Sequence, residues 1–143
     1  MIGFKNNNPG NIRYNPKIRG VIGRSKDGFS IFANRYSGLA AMRRLLINYI
    51  DRGYNTISKI INRYAPAADN NQPIKYIGFV SGKTGISPDR RLVAADLERI
   101  IPVMVKMETG KDLAPGDMFI SKHLDKIPFI GAALFLLISK SVR

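Results

Sequence analysis

Apolar residues recur at helical spacing over most of the chain beyond residue 36. Leu39, Met42, Leu45, Leu46, Tyr49 and Ile50 share one face, which predicts a helix capped by Ser37 and ended by Gly53. Ile57, Ile60, Ile61 and Tyr64 define a second, with Asn55 as cap and Ala65-Pro66 as stop, because a residue before proline avoids the helical region. Pro73 opens a third, carrying Ile74, Ile77 and Val80 and ending near Gly82. The next face is Leu97, Ile100, Ile101, Met104 and Met107, with Asp96 as N-cap, Gly110 as terminator and Pro102 inside as the expected point of a kink. Phe129 to Ile138 is nearly unbroken hydrophobe, and even counted from Ile127 it falls short of the ~20 residues that cross a bilayer. A buried C-terminal helix over 127–140 is expected.

The first 36 residues read differently. They are rich in Asn, Gly and Pro, with extended candidates at Ile12–Tyr14, Val21–Gly23 and Phe29–Phe32 between the turn formers Asn15-Pro16 and Lys26-Asp27-Gly28. This pattern predicts a small irregular sheet. Together the two regions define an α+β domain spanning 1–143, in which a β-rich lobe (1–36) is followed by a helical body (37–143). The expected site is a cleft between them.

Composition narrows the chemistry. With 143 residues and 45% apolar content there is material for one sizeable core. Cysteine is absent and histidine occurs once, so thiol chemistry is excluded and neither a metal nor a cofactor is expected. The net charge of +13 draws the chain toward polyanions such as nucleic acid, acidic lipid or bacterial wall. Residues 1–71 hold 12 basic and 3 acidic side chains, yet no basic run exceeds the doublets Arg43-Arg44 and Arg90-Arg91. The charge is spread over a surface rather than gathered in an arm, so specific nucleic-acid recognition is not expected. Met1 leads directly into Gly3-Phe4-Lys5 without the pattern of a secretory signal, so delivery to a wall would use another route.

Carboxylates then offer the available route to catalysis, as acids or bases on a glycosidic bond. Glu98 and Glu108 are the two glutamates. Glu98, in the first turn of its helix, suits the dipole and a basic partner, a structural role. Glu108 falls in the last turn, where the dipole disfavours negative charge and holds a proton on the carboxyl; Met104 and Met107 would desolvate it further. The alternative for Glu108 is a surface pairing with Lys106 or Lys111.

Four segments occur in a characteristic order: Asn6-Asn7-Asn8-Pro9-Gly10-Asn11-Ile12-Arg13, then Gly28-Phe29-Ser30-Ile31-Phe32, then Arg63-Tyr64-Ala65-Pro66 with Asn70 and Tyr76, then Met107-Glu108-Thr109-Gly110. From Gly3 to Lys111 this succession resembles a family of short phage virion and lysis proteins regarded as lysozyme-like. The local motifs are similar to those of lytic transglycosylases and flagellar-type glucosaminidases, in which a Glu-Ser/Thr element precedes the Asn-containing one. Here the order is reversed, as in a circular permutation. The resemblance implies a peptidoglycan-degrading enzyme, a lytic transglycosylase or muramidase used during penetration or lysis, with Glu108 as its acid. It further implies Asn6, Asn8 and Asn11 as partners of N-acetyl groups, Tyr14 or Tyr64 stacking on sugar rings, and Arg13, Asn70 and Tyr76 completing the binding set. The implied partners are peptidoglycan and other virion proteins, and the implied location is the virion or host cytoplasm, with delivery to the periplasm or wall.

From the residues alone other readings stay open. Asn in a turn-rich segment tolerates positive φ and self-caps, while Phe29, Phe32, Tyr36 and Tyr49 serve as packing of the sheet onto the first helix. Asp27 and Asp112 are the carboxylates nearest the motifs, and a one-acid transglycosylase needs neither. A non-catalytic virion structural protein, a non-specific nucleic-acid binder, and a membrane contact through 127–140 are the alternatives.

Overall fold

A computed structural model describes residues 2–126, so the apolar segment 127–140 lies outside the described residues. The architecture is α+β: one two-stranded sheet with short helices before and after it. The chain divides into two compact units, one made of residues up to Ala41 together with those from Leu113 onward, the other of Met42–Asp112.

The first unit opens with a single turn, α1 (Ile2–Lys5), followed by the Asn-rich loop. Strands β1 (Val21–Arg24) and β2 (Ser30–Phe32) pair antiparallel, with Val21 opposite Phe32 and Arg24 opposite Ser30 and a bulge between Val21 and Gly23. Their turn is the expected one. The Ser25 amide donates to Phe29 O (2.8 Å), and Gly28 takes φ +86°, a left-handed value that glycine adopts without strain. The third extended candidate also forms, as Arg13 bridges Phe29, Tyr14 N donates to Gly28 O (2.9 Å) and Ser30 N to Ile12 O (2.9 Å).

Helix α2 (Arg35–Asp51) begins two residues before the expected cap at Ser37, because Asn34 Oδ1 accepts the Ser37 amide at 2.9 Å and caps it instead. Gly38 sits inside this helix, where glycine is normally costly. A Cβ there would lie 1.9 Å from the Asn7 carbonyl oxygen, so glycine lets the N-terminal loop lie against the helix. Helix α6 (Asp117–His123), whose single turn or two leaves little periodicity in the sequence, is held by Asp117: its carboxylate accepts the Ala114 amide (2.9 Å) and Arg35 Nε (3.2 Å). Ile12, Phe32, Tyr36, Leu39 and Ile120 are buried in this unit.

In the second unit α2 continues to a glycine stop at Gly53 (φ +93°). Helix α3 (Ile57–Tyr64) is capped by Thr56, whose Oγ1 accepts the Lys59 amide (3.1 Å), rather than by Asn55, whose carbonyl accepts from Leu92 N (2.8 Å). It stops, as expected, before Pro66. Helix α4 (Pro73–Thr84) runs past Gly82 to a left-handed Gly85 (φ +72°). Helix α5 (Leu97–Thr109) contains Pro102 and ends at left-handed Gly110. Asp96 precedes α5 without capping it, since its carboxylate accepts the Val93 amide (2.8 Å) and pairs with Arg90 (2.8 Å).

The apolar faces of these helices meet in a core of Met42, Leu46, Ile57, Ile60, Ile61, Val80, Leu97, Ile100, Ile101 and Met104. Leu45, Ile50, Tyr64 and Ile77 are half-buried at its edge, and two expected members, Ile74 in the first turn of α4 and Met107 on α5, face solvent. Glu98 has the structural role expected of it and pairs with Arg43.

Candidate functional site

Three residues named from the sequence come together in the second unit. Tyr64 ends α3 just ahead of the proline stop, Tyr76 lies in the first turns of α4, and Glu108 is next to last in α5. The Tyr76 hydroxyl donates to Glu108 Oε1 at 2.9 Å. Burial pushes the proton affinity of the Tyr76 phenol far above its ordinary value; the neighbouring charge of Glu108 raises it more, as do Tyr64 and the hydrogen bond itself. Tyr64 is shifted in the same direction by burial first, then by Glu108 and Tyr49. Both phenols therefore stay protonated and act as neutral neighbours of the carboxyl group. A half-buried carboxyl oriented by a phenol is suited to proton transfer.

Met104 is wholly buried in the core and Met107 is 40% exposed, and Tyr64 and Tyr76 add to the burial beside Glu108. Lys106, considered as a surface partner for Glu108, donates to Asp112 (3.2 Å). The Tyr76 hydroxyl is a hydrogen-bond donor to the acid. Asn70 is exposed and left-handed (φ 61°), closing the 3₁₀ turn Ala67–Asp69, a conformation that asparagine tolerates better than most residues.

A shallow pocket of about 370 Å³ lies in the same unit, lined by Tyr54, Ser58, Lys59, Asn62 and Arg63. The Arg63 guanidinium lies over both Tyr49 (5.3 Å) and Tyr54 (4.4 Å), and those rings meet edge to face at 6.2 Å. Tyr49 was expected to pack the sheet onto the first helix. Instead it is half-buried beneath this cation.

The other named residues belong to the first unit. Asn8 has no exposed surface: its Nδ2 donates to Ile12 O and Ser30 O and its Oδ1 accepts the Ile12 amide, all at 2.9 Å. A side chain enclosed in this way presents no surface to a sugar, which removes Asn8 from the substrate-contacting set and makes it the clasp of the loop. Asn6 is also buried and its carbonyl accepts Phe32 N (3.0 Å), while Asn7 and Asn11 take left-handed φ of 53° and 49°. Turn geometry thus accounts for much of the Asn-rich segment. Phe32 and Tyr36 pack in the core as expected, and Phe29 is half-buried.

Arg13 and Tyr14 are exposed, and with Arg24, Lys26, Asp27 and Gly28 they line a groove of about 450 Å³ along the hairpin. The Arg13 guanidinium lies 5.8 Å from the centroid of Phe29 and that of Arg24 5.7 Å from that of Tyr14. Arg24 and Lys26 were not singled out from the sequence. The signal was there in the Lys26-Asp27-Gly28 turn, since any hairpin pairing Arg13 with Phe29 brings these cations alongside Tyr14.

Among the described residues no group of three or more His, Cys, Asp or Glu is placed to hold a metal ion, and no helix is long and apolar enough to cross a membrane.

A small, basic α+β chain with a tyrosine-braced glutamate in one unit and a cationic hairpin groove in the other is the class these features define. Comparison with known protein families finds no match. The chain is 33% identical over 116 residues, 77% of its own length and 72% of the relative's, to Protein P5 of Pseudoalteromonas phage PM2, and it belongs to that bacteriophage protein's family.

Proposed function

We propose that this phage protein cleaves the glycan strand of peptidoglycan, with a lysozyme-like fold in which the order of motifs along the chain is permuted. The observation that carries this reading is the Tyr76 hydroxyl on Glu108 Oε1 at 2.9 Å, beside Tyr64, in the last turn of a helix. Tyr76 orients the carboxyl plane. Glu108 donates its proton to the leaving glycosidic oxygen, and the resulting carboxylate takes a proton back from the attacking sugar hydroxyl or from water. A single acid of this kind serves a lytic transglycosylase, because the sugar's own hydroxyl closes the product and no second carboxylate is required. Asp112, the carboxylate nearest Glu108 along the sequence, is 82% exposed at its side chain and engaged with Lys106, which favours the one-acid route. Peptidoglycan is the partner, together with other virion proteins, and the protein acts at the wall after delivery from the virion or the host cytoplasm.

The test is clearing of a peptidoglycan-containing gel by the wild type and by Glu108→Gln. Glutamine keeps an oxygen for Tyr76 and loses the transferable proton, so clearing should fall by about 10²-fold or more. Equal clearing by both proteins would reject the assignment. Binding to peptidoglycan with no clearing by the wild type would instead indicate a non-catalytic virion protein.

A further inference from the structure

The hairpin groove of the first unit is lined mainly by cations. Arg13, Arg24 and Lys26 line it against a single carboxylate, Asp27. Residues 1–41 as a whole contain seven Lys and Arg and Asp27 as their acidic residue, so the local field is strongly positive. Both arginines lie over aromatic rings, Arg13 over Phe29 and Arg24 over Tyr14. A guanidinium held over a ring is restrained, which lowers the entropic cost of gripping a planar oxyanion. The rings are held in turn by the backbone, through the bridge of Arg13 to Phe29 and the bond from Tyr14 N to Gly28 O.

We propose that this groove, through Arg13, Arg24 and Lys26, binds carboxylates on the peptide stems of peptidoglycan and gives the protein a preference for peptide-bearing glycan over neutral sugar polymers. The proposal rests on the wall-directed reading above and deepens it. Peptide stems are polycarboxylates, and about 450 Å³ accommodates a short peptide segment rather than a lone ion. Tyr14, 38% exposed at the rim, offers a flat face to the adjoining sugar or side chain.

The experiment is co-sedimentation of the full chain with three insoluble probes: native peptidoglycan, peptidoglycan whose carboxylates have been converted to neutral amides, and chitin. Native peptidoglycan should bind about tenfold or more tightly than either neutral probe, with an affinity that falls as salt is raised. The Arg13→Gln/Arg24→Gln/Lys26→Gln variant should lose that preference, whereas a charge-matched control, Lys75→Gln/Lys83→Gln/Arg91→Gln, should keep it. Should the triple variant melt early, Arg24→Gln/Lys26→Gln alone, which leaves the Arg13 bridge intact, should still show the loss. Equal binding of native and amidated peptidoglycan by the wild type overturns the proposal, and so does an equal loss in the control, which would mean diffuse charge. Tighter binding to a short DNA duplex than to native peptidoglycan, abolished by the same triple variant, overturns it in favour of phosphate. Failure of Glu108→Gln to affect clearing, with carboxylate preference intact, would sink the catalytic reading and leave the groove standing.

Discussion

The Tyr76 hydroxyl and the Glu108 carboxylate, 32 residues apart in sequence, meet at 2.9 Å because α4 and α5 pack side by side. Tyr76→Phe removes the donor without changing the packed ring. With Glu108 as the acid, the expected result is a fall in kcat of about tenfold to a hundredfold with little change in KM, since orientation of the acid is lost while the sugar contacts remain. Turbidity assays at several peptidoglycan concentrations measure the split. An effect confined to KM would argue that Tyr76 touches substrate instead.

High pH should weaken the fold through the same phenols. Their ordinary value is 10.0, and in the folded protein Tyr76 and Tyr64 hold their protons more tightly, chiefly through burial. The folded state then binds more protons than the unfolded one above pH ~10. Stability is full below that point and is lost as the pH rises through and beyond it, with a slope approaching ~1.4 kcal/mol per pH unit for Tyr76. Urea melts across this range should show the decline, and Tyr76→Phe should flatten it.

Gly38 and two other helical glycines should respond in opposite directions to alanine. At Gly38 the new Cβ meets the Asn7 carbonyl oxygen at 1.9 Å, so Gly38→Ala should destabilise by about 1–3 kcal/mol despite the better helix propensity of alanine. At Gly78 and Gly82 in α4 nothing lies within 4 Å, and alanine there should stabilise by about 0.5–1 kcal/mol. Denaturant midpoints of the three variants decide it.

Asn8→Ala should cost about 2 kcal/mol, because it strands the Ile12 amide and takes a donor from the buried Ser30 carbonyl, while Ile12 O keeps the Ser30 amide. Calorimetry of the variant measures the loss. Asn11→Ala provides the comparison: Asn11 is half-buried and left-handed, so its loss should register as backbone strain of about 1 kcal/mol.

Much of this was legible in the chain itself. Helical periodicity located α2 to α5, Gly53 and Gly110 marked helix ends, Pro66 marked a stop, and Lys26-Asp27-Gly28 marked the hairpin, because each follows from local sterics or from the burial of one apolar face. The ordered motifs likewise pointed to a phage protein family, and Tyr64, Tyr76 and Glu108, named from those motifs, do gather in one unit. What local rules leave open is which of several adjacent polar groups is used. Ser37 or Asn34, and Asn55 or Thr56, are equivalent caps in a sequence, and the choice between them is made by where the preceding strand or loop delivers the chain. The same holds for function. Side chains as similar as Asn8 and Asn11 are separated only by tertiary burial, which encloses the first in three hydrogen bonds. The partners of Glu108 were likewise set by packing, since the face of α5 that buries Met104 turns Met107 to solvent, and it is α4 that brings a phenol to the acid.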